Sequence, residues 1–258
     1  VLEPKTRVEK WTVLRKVLGK KGVRWLPVRL ASSYVSSVLH YLFIESNIDI
    51  PLPTKSKKEE INLELLYRHR SKDLPSIMKE MLYSSTNVTA EIIGLFAANF
   101  WGMFTPQISS SGIIMSKWFN FVSQTDGNIF INHSGLTSES RVSSLDFVKF
   151  LIRKETKEVL IPLLKEQKIY GSEKKKIYGA GIRVVAKTGT MYFNRGLAGY
   201  IIKNNIPLAV FAIFSADIKE KKSIKKDQLS NPPGSKNWLL QARSAENNIL
   251  ANWAKQYI

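Results

Sequence analysis

The chain has no cysteine at all in its 258 residues. That removes disulfides, thiol nucleophiles and Cys-bound zinc from consideration, although it does not fix the compartment, since many exported proteins also lack Cys. Histidine is scarce, and His40, His69 and His133 show no metal-ligand spacing. The longest apolar run, Ile206 to Ala216, is too short to cross a bilayer. No signal peptide is visible, and the first residue is Val1 rather than Met, so the sequence reads as processed or excised, with any export signal expected upstream. Acidic residues are few, 21 against 39 Lys+Arg. The resulting net charge of +18 fits nucleic acid, an anionic membrane surface or an acidic wall polymer as partner, or simply a Lys-rich surface. There are no repeats and no tract of low complexity.

What is present is a globular composition, 44% hydrophobic, long enough for a full core. Val8, Trp11, Leu14 and Leu18 recur at helical spacing. Over 31–44, Tyr34, Val35, Val38, Leu39, Leu42 and Phe43 predict an amphipathic helix preceded by Ser32-Ser33. Thr54 to Glu60 reads as a charged turn and Ile61 to Tyr67 as an alternating strand. A helix capped by Ser71 or Asp73 follows through Leu82, and another runs from Thr89 to about Phe104. Ser109 to Gly112 reads as a loop, Trp118 to Val122 as helix and Asp126-Gly127 as a turn. A single helix is expected from Ser144 to about Leu164, a surface loop at Lys174–Lys176 and another loop from Lys219 to Gly234. Asn204-Asn205 separates two apolar strands as a hairpin turn, and Trp238 to Trp253 forms a closing helix. The fold class is α/β: one domain over 1–258, helices covering an antiparallel sheet, with 1–25 as a remnant of an upstream or inserted domain.

The residues that carry chemistry are in two stretches. Val184-Val185-Ala186 runs as a strand into Lys187-Thr188-Gly189-Thr190, which offers a cation, two hydroxyls and a side-chain-free Gly on one strand. Far upstream stands Ser84-Ser85-Thr86-Asn87 between two helices. On their own, Ser85 and Asn87 read equally as helix caps and Lys187 as a surface lysine. Ser134 and Thr137 read as loop structure, and His133 as an exposed loop residue.

Lys187-Thr188-Gly189-Thr190 is one of three signatures of the penicillin-recognising serine enzymes. Four blocks in order resemble class C low-molecular-mass penicillin-binding proteins, the D-alanyl-D-alanine carboxypeptidases and endopeptidases of peptidase family S13. They are the 31–48 helix region, His69 to Glu91 with Ser85-Thr86-Asn87, Ser134-Gly135-Leu136-Thr137, and the tetrad with Leu197-Ala198-Gly199-Tyr200. Asn132 and His133 stand where the family usually has Asp and Gly, and Ser140 where Asn is common.

The resemblance implies a transpeptidase-like fold shared with serine β-lactamases, here incomplete at its N-terminus. It implies an acyl-enzyme mechanism on wall peptides ending in D-Ala-D-Ala, β-lactams as inhibitors, no cofactor and an extracytoplasmic, periplasmic setting. Ser85 would relay a proton to the leaving amine, Asn87 would bind the peptide, and Lys187 would position Ser85. Thr188 and Thr190 would hold the terminal carboxylate, the Thr190 N–H would serve as half an oxyanion hole, and Gly189 would admit the peptide closely.

The family's nucleophile lies in a Ser-X-X-Lys motif. The match beside the Ser-X-Asn segment is Ser76-Ile77-Met78-Lys79. Nine residues of helix would set Ser76 about 13 Å from Ser85 at 1.5 Å per residue, too far to pass a proton. The nucleophile is therefore expected upstream of Val1 or lost, with Ser76 and Lys79 as the lesser alternative. A chain without the family's nucleophile helix would leave apolar surface open unless another segment fills it. A catalytically inert remnant that binds wall peptides and a basic nucleic-acid-binding domain are the competing readings, the latter resting on charge alone. A β-lactamase shares the tetrad and differs in deacylation.

Overall fold

The structure is a computed structural model that describes residues 11–12, 28–52, 65, 67–102, 107–168, 181–224 and 232–256. The chain divides into two compact units, Val1–His69 and Arg70–Ile258. The helical spacing of Val8 to Leu18 (apart from 11–12), Thr54 to Glu60, the strand Ile61 to Tyr67 (apart from 65 and 67) and Lys174 to Lys176 lie outside the described residues.

In the first unit, helix α1 spans Ala31–Glu45, as the apolar spacing requires. Ser32 and Ser33 do not precede it; they stand in its first turn, and Leu30 holds the N-cap position. The Ser36 and Ser37 hydroxyls satisfy themselves on the carbonyls of Ser32 and Ser33, the local bond that lets serine live inside a helix. No residue of α1 is buried, so its apolar stripe of Tyr34, Val35, Val38, Leu39 and Leu42 is open. Asn47 turns the chain out of the helix with φ 58°.

The second unit is built on a four-stranded antiparallel sheet in the order β1-β2-β3-β4. β1 is Lys165–Gln167, β2 Ile182–Met191, β3 Asn194–Lys203 and β4 Ile206–Ala216. The Asn204-Asn205 turn that joins β3 to β4 has φ of 51° and 66°, the positive values a two-residue hairpin demands and Asn tolerates. β3, like β2, is an inner strand, and it is covered on both faces, which is why Leu197 to Ile202 reads as a continuous apolar run.

Side-chain alternation sends the two faces of the sheet to different helices. Val184, Ala186, Leu197, Ile201 and Phe211 meet Leu250 and Ala251 of the closing helix α8, Ser235–Lys255. Val185, Ala198, Tyr200 and Ile202 meet Leu151 and Leu164 on the other face, with Leu82, Phe147 and Phe150 against them. Each fully buried aliphatic here is worth about 1.5–3 kcal/mol of transfer free energy. The Tyr200 phenol, with no exposed surface, donates to the Leu151 carbonyl at 2.9 Å.

The helices of that second face are α2, Leu74–Ser84; α3, Asn87–Phe100; α4, Ile108–Ser123; α5, Ser144–Leu151; and α6, Lys154–Leu160. Three expectations are corrected here. The single helix over 144–164 is two, because Arg153 takes extended backbone (φ −60°, ψ 142°) and its guanidinium donates to Val122 O at 2.7 Å, at the end of α4. Ser109 to Gly112 is not a loop but the first turns of α4. The small residues are there for close approach, since a Cβ on Gly112 would lie 2.6 Å from the Ile131 backbone. Part of the loop after β4 is a short helix, α7, Ile218–Ser223, capped by the Asp217 carboxylate on the Glu220 N–H.

Two glycines of the site region differ sharply in what surrounds them. A Cβ on Gly199 would lie 2.0 Å from Val185 O, between paired strands that cannot part, whereas nothing lies within 4 Å of one on Gly189. Gly199→Ala should therefore cost about 3 kcal/mol of unfolding free energy as an overpacked core, and Gly189→Ala under about 1 kcal/mol. Denaturant melts of the two variants check this, and equal losses would contradict the packing described.

Candidate active site

Helix α2 ends at Ser84, and Ser85 holds its C-cap position in the left-handed region, φ 54° and ψ 49°. A β-carbon is strained there, and such strain persists only where the surroundings fix it. Ser85 and Thr86 N–H groups both return to the Met81 carbonyl, closing the helix and turning the chain toward α3. Thr86 takes the N-cap position of α3 and Asn87 its first turn, with no side-chain capping bond. Neither Ser85 nor Asn87 is a cap of α3, and both side chains are exposed.

Across from them, β2 carries Lys187 to Thr190. β1 pairs only with Val184, Val185 and Ala186, so from Lys187 onward this edge of β2 has no strand partner among the described residues. Lys187 is half-buried, and its Nζ donates to Ser85 Oγ at 2.5 Å and to the Thr188 carbonyl at 2.8 Å. That contact joins residues 102 positions apart in the chain. Burial pulls the Lys187 ammonium below its ordinary range, and the nearby cations Arg195 and Lys165 pull it further the same way. Because the lysine donates, the Ser85 O–H keeps its own hydrogen for another acceptor.

Asn87, Gly189 and Thr190 are exposed beside this contact's two elements. Ser76 and Lys79 both lie on α2, with Ser76 in its first turns and Ser85 just past its end, so the helix itself separates Ser76 from Ser85. The sequence reading passed over two further runs of this spacing, Ser172-Glu173-Lys174-Lys175 and Ser223-Ile224-Lys225-Lys226, which fall wholly or partly outside the described residues.

Sequence reasoning also missed Arg195 and Glu246. Arg195 stands opposite Thr190 in the β2–β3 register and is buried. It donates to Thr190 Oγ1 at 2.7 Å and to Glu246 Oε2, on α8, at 2.8 Å. A cation immediately after the β2–β3 turn was the available signal; its acidic partner, 51 residues on, had none.

The third block behaves differently from its expectation. His133 is not an exposed loop residue. Its Nε2 is 2.7 Å from the Ser111 hydroxyl, its Nδ1 is 3.2 Å from Met115 Sδ, and its ring fills the place where a Cβ on Gly94 would be. The Glu91 carboxylate accepts from the His133 and Ser134 N–H groups at 3.0 and 3.1 Å, pinning the loop to α3. The Ser134 and Thr137 hydroxyls cap their own loop on the Leu136 and Glu139 N–H groups, as loop structure should.

Burial pulls the His133 imidazole below its ordinary value of 6.5, with the Glu91 charge opposing. Burial raises the Glu91 carboxyl, but the Ser134 hydroxyl and the two backbone N–H groups more than offset this and hold it below its usual range. As pH falls through 6.5 the unfolded chain gains a proton at His133 that the folded chain refuses, so stability declines from there down to the lower folded value. Comparing urea unfolding of wild type with His133→Gln between pH 7.5 and 5 should show the wild type alone losing this increment. Parallel curves would contradict the assignment.

No curated protein matches the chain. Among solved structures, it is similar to penicillin binding protein 4 (dacB) from Haemophilus influenzae complexed with a novel β-lactam, at 21% identity and a TM-score of 0.54. That match covers 88% of this chain and 52% of the other. A second structure of the same protein matches at 21% identity and a TM-score of 0.52, over 77% and 46%. The likeness establishes the penicillin-binding-protein fold, and the chain spans about half the length of these structures. Nothing in these matches supports a nucleic-acid-binding domain or an inert remnant. The family model of D-Ala-D-Ala carboxypeptidase 3 (S13) matches residues 16–231, four-fifths of the sequence and all four motif blocks within it. The chain belongs to the D-Ala-D-Ala carboxypeptidase 3 (S13) family.

Proposed function

We propose that this chain forms two walls of a cleft for wall peptides ending in D-Ala-D-Ala, within an extracytoplasmic carboxypeptidase or endopeptidase of family S13 that β-lactams also occupy. The observation that carries the proposal is the 2.5 Å contact of Lys187 Nζ with Ser85 Oγ, which joins two of the family's motifs into one site.

The chemistry of each residue follows from its place. The peptide lies along the free edge of β2, where Gly189 leaves room for its backbone and the Asn87 amide offers a donor and an acceptor. Thr188 and Thr190 hold the terminal carboxylate by hydroxyl donation, and the Thr190 N–H polarises the scissile carbonyl. Ser85, accepting from Lys187, has its hydrogen free to pass to the leaving amine. The depressed Lys187 ammonium can take and return a proton more readily than an ordinary lysine. The attacking serine is a separate group: Ser76 and Lys79 are proposed to be structural residues of α2, and the nucleophile to be supplied from outside the described residues.

Fluorescence anisotropy with a labelled peptide ending in D-Ala-D-Ala tests the reading. Saturable binding is expected, about tenfold weaker or worse for the L-Ala-L-Ala isomer, whose terminal groups point elsewhere, and about tenfold weaker in Lys187→Ala through loss of a charge-assisted bond. Equal affinity for the two isomers, or an unchanged Lys187→Ala variant, would contradict it.

A further inference from the structure

Thr190 is not held by the strand alone. Arg195, its neighbour across the β2–β3 ladder, is 8% exposed, and Glu246 behind it is 3% exposed. The guanidinium donates one N–H to Thr190 Oγ1 at 2.7 Å and another to Glu246 Oε2 at 2.8 Å. This is a rigid fork set between a helix on one side of the sheet and the rim of the cleft.

The direction of those bonds has a chemical consequence. Arginine has five donors and no acceptor, so the Thr190 oxygen can only accept from it. The single hydroxyl hydrogen of Thr190 is then left to point away from Arg195, toward an acceptor. Without Arg195 the same hydroxyl could donate or accept as its ligand required. With it, Thr190 presents a donor on an exposed edge that already carries Lys187.

The pair is poorly explained as a stabilising device. Glu246 Oε1 is buried with no hydrogen-bond partner among the described residues, and a buried ion pair does little for stability that an apolar pair of similar volume would not do. Its geometry makes sense if the position of the guanidinium, rather than the ion pair, is what matters. Resting on the D-alanyl-peptide reading above, we infer that Arg195, held in place by Glu246, is a positioning residue that locks Thr190 as a hydrogen-bond donor and so makes the site select peptide ends bearing a free carboxylate over carboxamide ends.

Calorimetric titration of the chain with diacetyl-Lys-D-Ala-D-Ala and with its terminal carboxamide tests this directly. The free acid should bind about tenfold tighter, the worth of one hydrogen bond to a charged acceptor. Thr190→Val should bring the ratio to within about twofold, and Thr190→Ser should keep it. The double variant Arg195→Met with Glu246→Leu, which strands no buried charge, should lose the same ratio, and adding Thr190→Val to it should change nothing more. Arg195→Lys keeps a cation beside Glu246 but replaces the rigid planar fork with a single mobile ammonium that does not hold Thr190 in one orientation, and it too should lose discrimination, so the test survives if the double variant fails to fold.

A merely structural role predicts that the Arg195 variants weaken both ligands alike and add to Thr190→Val; that result overturns the inference. Equal binding of acid and amide by the wild type overturns it too while leaving the peptide-binding reading standing. Binding of neither peptide overturns both.

Discussion

The contact between Lys187 and Ser85 depends on two backbone devices that come from unrelated parts of the chain. One is the end of α2, where Ser85 is forced into the left-handed region as the helix closes on Met81. The other is the far half of β2, which outruns β1 and so presents Lys187 to Thr190 on an edge with no strand partner among the described residues. Either device alone gives an exposed serine or an exposed lysine. Their meeting requires that α2 be seated against the sheet, and Leu82 packing onto the cluster around Val185, Tyr200 and Ile202 provides that. The site is thus a product of the core beneath it.

Close packing fixes the sheet just as tightly. Gly199 allows β3 to lie against Val185 and Ala186 with no side chain between them, and the buried Tyr200 phenol ties the next residue to the end of α5. On the opposite face, α8 contributes Leu250 and Ala251 to the core and Glu246 to the guanidinium behind Thr190. The closing helix therefore reaches Thr190, at the rim of the proposed cleft, through one buried side chain and the guanidinium it holds. An Arg–Glu pair in such a place is a costly element, and orienting a cleft hydroxyl gives it a reason.

Much of this was legible in the sequence. The tetrad strand, the Asn204-Asn205 turn and the apolar run of β3 follow from hydrophobic patterning and Asn turn chemistry, and α2, α3 and α8 follow from helical spacing. Most of the failures share a cause, a neighbour distant in sequence; the short helix α7, capped locally by Asp217, is an exception. Ser109 to Gly112 has the composition of a loop, yet those small residues serve a helix that must approach the Ile131 backbone. The helix expected to cross Ile152 is broken by an arginine that finds Val122 O. His133 looked like an exposed residue because nothing local reveals Ser111 Oγ or the gap above Gly94. Of the proposed cleft, Ser85, Asn87 and the tetrad are candidates that motif alone offers, while Arg195 became visible only once strand register set it opposite Thr190.

The central claim is that Ser85, Asn87 and the Lys187 to Thr190 edge are one binding site. The most direct test is a backbone amide NMR titration of the chain with N-acetyl-D-Ala-D-Ala. The account predicts that Ser85, Asn87, Gly189 and Thr190 shift together along one saturation curve, with Arg195 following and the His133 loop unmoved. Shifts confined to one of the two stretches, or separate curves for the two, would contradict it.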